Sequence, residues 1–239
     1  MSETSTDAAT ASSTVPDPVV TLGLPTPLLL GSASFSRKLV LQEMGVHFHV
    51  CARPIDEKSL GDRTRDAPHV LVRNLASAKM QHLVREIRAG NCTDDLPAPL
   101  GRTEWIVLTG DQVVTCDGVI LEKPESVQEA RDFVRRYASN PPSTVGSCVL
   151  THLPSGTQVS GIDTATVHFD PRLPDDLVDR LLAADAPILS CAGGLMVEHP
   201  FVKEHIVRID GTEDSVMGLS KDLVLRLLDE LREKLGKTA

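Results

Sequence analysis

The chain has 239 residues, 41% of them apolar and 24% charged, the make-up of a globular protein with one large domain or two lobes around a cleft. Its 24 Lys and Arg against 33 Asp and Glu leave a net charge of −9, which disfavours non-specific binding to nucleic acid or membrane, because phosphate contacts need a basic field. Aromatic residues reach only 3%, too few for the stacking platforms of single-strand binders, and no apolar run approaches the ~18 residues of a membrane span.

Residues 1–26 are mostly Ser, Thr, Ala, Asp and Pro without Lys or Arg, so neither a secretory signal nor a mitochondrial peptide is expected there. A disordered acidic tail and a cytoplasmic protein are expected, with 27–239 as a single α/β domain. The folded part opens with an apolar strand, Pro27 to Gly31, then a helix, Ser34 to Met44, stopped by Gly45. A second strand, Val46 to Ala52, places His47 and His49 on one face, either as a metal pair or as a partly exposed surface. A charged loop, Arg53 to Ala67, leads to a long helix, Pro68 to Arg88, with Leu71, Leu75, Ala78, His82 and Leu83 in register. Asn91 to Thr103 is polar and contains prolines, hence a surface loop.

Trp105 to Thr109 is a buried strand. Asp117-Gly118 between Val113–Cys116 and Val119–Leu121 signals a type I′ hairpin. Ser126-Val-Gln-Glu129 is a capping box that opens a helix to Ala138. Thr144 to Leu153 and Thr157 to Phe169 are strands around Pro154-Ser155-Gly156. A helix from Pro174 to Ala184 would hold Asp175 and Asp176 in its positive first turn. Pro187 to Cys191 and His205 to Ile209 are further strands, and Ser220 to Leu235 is the last helix. The five cysteines form no C-x-x-C, so buried, reduced thiols are expected.

Two groups of residues could carry chemistry. The first strand runs through Gly31-Ser32-Ala33-Ser34-Phe35-Ser36-Arg37-Lys38 into a helix, a place where backbone N–H groups hold an anion. Ser32 and Ser34 would add donors, and Arg37 can grip a phosphate with two parallel hydrogen bonds. The alternative is that Ser34 caps the helix while Arg37 and Lys38 are solvated. The second group is acidic. Asp111 follows an apolar strand, and Asp56-Glu57 lies in the loop after strand two. Residues beyond strand carboxyl ends line the crevice of open α/β sheets. Two such acids could hold Mg²⁺ or Mn²⁺ through oxygen, or simply be solvated loop acids. Neither a Walker loop nor a G-x-G-x-x-G fingerprint is present.

Gly-Ser-Ala-Ser-x-x-Arg-Lys, Ile55-Asp56-Glu57, Ala76-x-x-Lys79, Gly110-Asp111-Gln112-Val113, Glu122-Lys123-Pro124, Ala192-Gly193-Gly194 with Glu198, and Gly211 through Val216-Met217-Gly218-Leu219 occur in the order found in Maf proteins. From about Leu28 to Leu235 the chain resembles a eukaryotic-type member of that septum-formation family. The resemblance implies a nucleoside triphosphate pyrophosphatase dependent on a divalent metal, Mg²⁺ or Mn²⁺. It also implies an elongated mixed β-sheet with flanking helices in two lobes around a nucleotide cleft, similar to inosine triphosphate pyrophosphatases. Ser32, Ser34, Arg37, Lys38, Lys79 and Lys123 would then hold phosphates. Glu57 and Asp111 would hold metal or water, with Asp111 the candidate base and Lys79 part of the catalytic set. Gln112 and Glu198 would shape substrate choice toward 7-methyl-GTP and other modified or pyrimidine nucleotides. Lys38 stands where many members have a second Arg, keeping the charge without the fork, and Leu219-Ser220 replaces a common Leu-Pro. A homodimer is common among similar proteins. Two other readings stay open: a nucleotide-sensing binding protein of cell division without essential turnover, and a transferase that would need an acceptor site.

Overall fold

In the computed structural model, residues 27–92 and 104–237 are described. The expected tail (1–26) and most of the expected loop at 91–103 lie outside them. The fold is built on one long strand. Trp105–Cys116 (β3) alternates along its length, so its odd and even residues meet different neighbours. Val107 and Val113 pack on the helix Pro68–Arg88 (α2) through Ala76, Met80, Leu71, Val72 and Leu75. Ile106 and Leu108 pack on the other face with Val40 and Leu41 of Phe35–Glu43 (α1) and with Leu223, Val224 and Leu227 of Lys221–Gly236 (α7). Further along, Val114 and Cys116 enter a second core with Val127–Tyr137 (α3) and Leu177–Ala183 (α4). The expected two lobes are these apolar cores at opposite ends of β3, separated by Thr109, Gly110, Asp111 and Gln112.

The mixed sheet has the order β2-β1-β3-β5-β6-β7, with β4 also paired to β3. Leu28–Leu30 (β1) lies parallel to both Phe48–Val50 (β2) and β3. Val119–Leu121 (β4), Ser143–Leu153 (β5), Gln158–Phe169 (β6) and Ile206–Asp210 (β7) pair antiparallel. One edge of β3 is fully covered by β5. The other edge is shared: β1 pairs with Ile106 to Leu108, and β4 with Val114 to Cys116. Between them, residues 109–113 have no strand on that side among the described residues. The site opens there.

Several expectations hold in detail. Asp117 (φ 52°) and Gly118 (φ 73°) both adopt the left-handed conformation that a type I′ turn requires. Ser126 accepts from Glu129 N at 3.1 Å, capping α3. Others need correction. Asp111 does not follow a strand; it sits in the middle of β3, which continues through the polar stretch because β5 pairs with all of it. Crevice placement beyond a strand end applies to β1, which stops at Leu30. Pro187 to Cys191 is no strand but a 3₁₀ turn at Ile188–Ser190, where Ser190 N and Cys191 N bond Pro187 and Ile188 carbonyls locally. The helix expected from Pro174 begins at Leu177, so Asp175 and Asp176 precede its first turn. Two short helices, Pro200–Lys203 (α5) and Glu213–Met217 (α6), carry too little periodicity to be read from sequence. The His47 and His49 rings lie tilted with centroids 6.3 Å apart on a partly exposed edge, and His49 packs edge-on against Trp105. Among the described residues no group of three or more His, Cys, Asp or Glu could hold a metal, and no helix is long and apolar enough to cross a membrane.

Candidate active site

Lys79 lies on α2 between Ala76 and Leu83, at the border of that helix's buried stripe. Its amine is 2.5 Å from Asp111 Oδ1 and 2.9 Å from Glu57 Oε1. Glu57 opens a 3₁₀ turn, Glu57–Ser59, in the loop after β2. A helix, a mid-strand position and a loop thus meet at one ammonium. Asp111 is 6% exposed, and burial pushes its carboxyl above the ordinary carboxylate value. Lys79 and Arg37 pull it back, and Glu57 adds to the rise. Burial wins over the ion pair because water is removed from the whole carboxylate while Lys79 engages one oxygen.

Arg37 sits on the opposite face of β3. Its Nη1 donates to Gly110 O at 2.9 Å and to Ser32 Oγ at 3.1 Å, and its Nε donates to Gly218 O at 3.0 Å. Burial depresses its basicity, while Asp111, Cys148 and Glu57 work the other way. Only the Nη2 hydrogens lack a partner among the described residues, so the side chain is not free to grip a phosphate with two bonds through its Nε edge. Ser32 Oγ accepts from Arg37 and from Ser34 N at 3.3 Å, which leaves its O–H to donate. Ser34 caps α1, accepting from Arg37 N at 3.4 Å, as the alternative has it, but Arg37 is buried and hydrogen-bonded and not solvated. Gly110 is required here: a Cβ would meet Ser147 O at 2.8 Å, beneath the Arg37 guanidinium at 3.7 Å.

Gln112 points to the same face as Arg37, donating to Val216 O at 2.9 Å. Gly218 (φ 109°) lies against it. The structure therefore joins the α1 turn, β3 and the α6 end into one face of the site. The Lys38 side chain makes no hydrogen bond or ion pair among the described residues; its backbone N–H donates to Ser34 O at 3.3 Å. Lys123 is exposed, beyond β4, where its charge acts on Cys191. Burial pushes Cys191 up to about 11. Glu198 stands near the same cysteine with Oε1 buried and unpartnered, its carboxyl raised by burial. Lys123 and Glu198 thus belong to the far lobe, and neither makes a hydrogen bond or ion pair to Asp111 among the described residues.

Sequence reasoning missed three participants. Arg63 holds the Glu57 turn, Gly218 receives Arg37, and Ser147 lies opposite Asp111 in register with its buried hydroxyl unpartnered. Arg63 stands among alternating charges that give no signal. Gly218 stands in a segment noted only for its resemblance.

The Maf-like protein family profile matches residues 27–231. A protein of Dictyostelium discoideum named 7-methyl-GTP pyrophosphatase is 33% identical, with 87% of this chain and 98% of the relative covered. A nucleoside triphosphate pyrophosphatase of Gluconobacter oxydans is 30% identical over 87% and 95% of the two chains. A dTTP/UTP pyrophosphatase of Salinibacter ruber is 30% identical over 87% and 92%. The profile covers both lobes and every residue of the Lys79 and Arg37 clusters, so the chain belongs to the Maf family.

Proposed function

We propose that this protein hydrolyses a nucleoside triphosphate between the α and β phosphates, releasing a nucleoside monophosphate and pyrophosphate. The observation that carries this function is the meeting of Lys79 with Glu57 and Asp111, beside the desolvated Arg37, at the uncovered edge of β3. The names of the relatives support the reaction class. Those names span 7-methyl-GTP and dTTP/UTP, and we place modified or pyrimidine nucleotides as substrates, with Gln112 and Glu198 shaping the choice.

The residues fit a divalent cation. A single positive centre already reaches both carboxylates at 2.5 and 2.9 Å, and both are hard oxygen donors of the kind Mg²⁺ or Mn²⁺ takes. The chain supplies two ligands, Glu57 and Asp111; phosphate oxygens and water would supply the rest. When bound, such an ion polarises phosphoryl oxygens and acidifies water.

Asp111 takes the proton of the attacking water, and its raised proton affinity makes it a stronger base. Lys79 and the Nη2 edge of Arg37 meet the negative charge that builds on the leaving pyrophosphate. Ser32 donates its free O–H, and Lys38 and Lys123 add charge at the rim. We place the protein in the cytoplasm, where its five free cysteines stay reduced. A homodimer belongs to the same proposal by resemblance.

The test is a product assay with 7-methyl-GTP, UTP, dTTP and CTP. Monophosphate and pyrophosphate are expected, with orthophosphate only after inorganic pyrophosphatase is added. Diphosphate with direct orthophosphate release would overturn the assignment.

A further inference from the structure

Arg63 lies in the charged loop between β2 and α2, yet its side chain is only 21% exposed. Its guanidinium faces two ways. Nη1 donates to Leu60 O, and Nη2 donates to Glu57 O at 2.9 Å. On the other side Nε reaches Glu122 Oε2 at 3.2 Å and Nη2 reaches Glu122 Oε1 at 3.3 Å. The first pair of bonds folds the turn that presents Glu57. The second is a two-pronged hold on a carboxylate. Glu122 follows β4 directly and precedes Lys123. A second ion pair, Lys58–Glu125 at 2.9 Å, joins the same two segments, but its side chains are 83% and 78% exposed, where such a pair contributes little.

We infer that Arg63 is a positioning residue. It clasps the segment carrying Glu57 to the segment carrying Lys123, across the uncovered edge of β3, and it neutralises Glu122. The role presupposes the pyrophosphatase reading. Without Arg63, Glu122 is a bare carboxylate next to Lys123. It repels a triphosphate and competes for that lysine. The Glu57 turn also loses its two carbonyl anchors. The two losses are separable: the charge acts on binding, the turn on turnover. Lysine cannot substitute, because a point charge without the fork cannot hold both partners.

The variants are Arg63→Ala, Arg63→Ala with Glu122→Gln, Arg63→Lys and Lys58→Ala. For Arg63→Ala, kcat falls and KM rises, each by about tenfold or more, as misplacement of site groups implies. Adding Glu122→Gln returns KM toward the wild-type value while kcat stays low. Arg63→Lys gives near-normal KM with low kcat, and Lys58→Ala stays within about twofold of wild type. Amide hydrogen exchange across residues 57–64 quickens in both Arg63→Ala chains and stays unchanged along α2. Wild-type kinetics and exchange in Arg63→Ala, full kcat in Arg63→Lys, or a KM that Glu122→Gln leaves unmoved would overturn the clasp. If the wild-type protein releases no pyrophosphate from any triphosphate, the functional reading falls, and the exchange measurement still decides on Arg63.

Discussion

Asp111 has two properties that pull against each other. As the proposed base it must be ionised to accept a proton, yet burial favours its neutral form. Turnover should therefore fall on the acid side at a pH above the ordinary carboxylate value of about 3.9. A pH profile of kcat/KM checks this; an acid limb that stays flat down to pH 4 would count against Asp111 as base. Asp111→Asn keeps the shape but cannot accept the proton, so turnover should drop by about 10²–10⁴ while the chain still folds. Activity within a few-fold of wild type would remove Asp111 from the reaction. Lys79→Ala should weaken triphosphate binding by about 1.5–3 kcal/mol, the worth of a charge-assisted hydrogen bond, as read by calorimetry. Its loss also leaves Asp111 with less of the positive charge that holds its proton affinity down.

At the scale of elements, the central device is a strand whose middle is polar. The run from Thr109 to Gln112 reads in sequence as the end of one strand and a gap before the next. That error has a physical source: apolar alternation marks a strand only where both faces meet apolar neighbours. In β3 the ladder to β5 maintains the extended backbone through a stretch whose side chains serve the site. The hairpin at Asp117-Gly118 was legible because its backbone demands those residue types. The short apolar run Pro187 to Cys191 was not, since a buried turn and a buried strand look alike at that length. The α6 end supplies a test. A Cβ at Gly218 would meet Gln112 Oε1 at 2.5 Å, and φ there is 109°. Gly218→Ala should destabilise the fold by about 1 kcal/mol or more and raise KM more than it lowers kcat, because Lys79 and Asp111 face the other way. Thermal melting and steady-state kinetics check both parts, and an unchanged KM would separate Gln112 from substrate.

At the scale of the molecule, the α/β class, the order of most elements and the separate candidates Asp111, Glu57 and Arg37 could be read from the chain. Lys79 with Glu57 and Asp111 emerged as a set only through resemblance, because residues from a helix, a loop and a strand share no local spacing. Arg63 escaped entirely: Glu57 lies in its own loop, but Glu122 comes from the end of β4, whose pairing with β3 no local pattern ties to that loop. Arg37 shows the same long reach, since the carbonyl that fixes its Nε is 181 residues away, at Gly218. Translation delivers those residues in order, at about 5–20 per second, so Arg37 leaves the ribosome on the order of 10–40 s before its acceptor is made. Until then Arg37 is held only through Nη1, by Ser32 and Gly110, and its Nε edge lacks the carbonyl that fixes it. The Arg37 face of the site is therefore completed only in the closing stage of the protein's own synthesis.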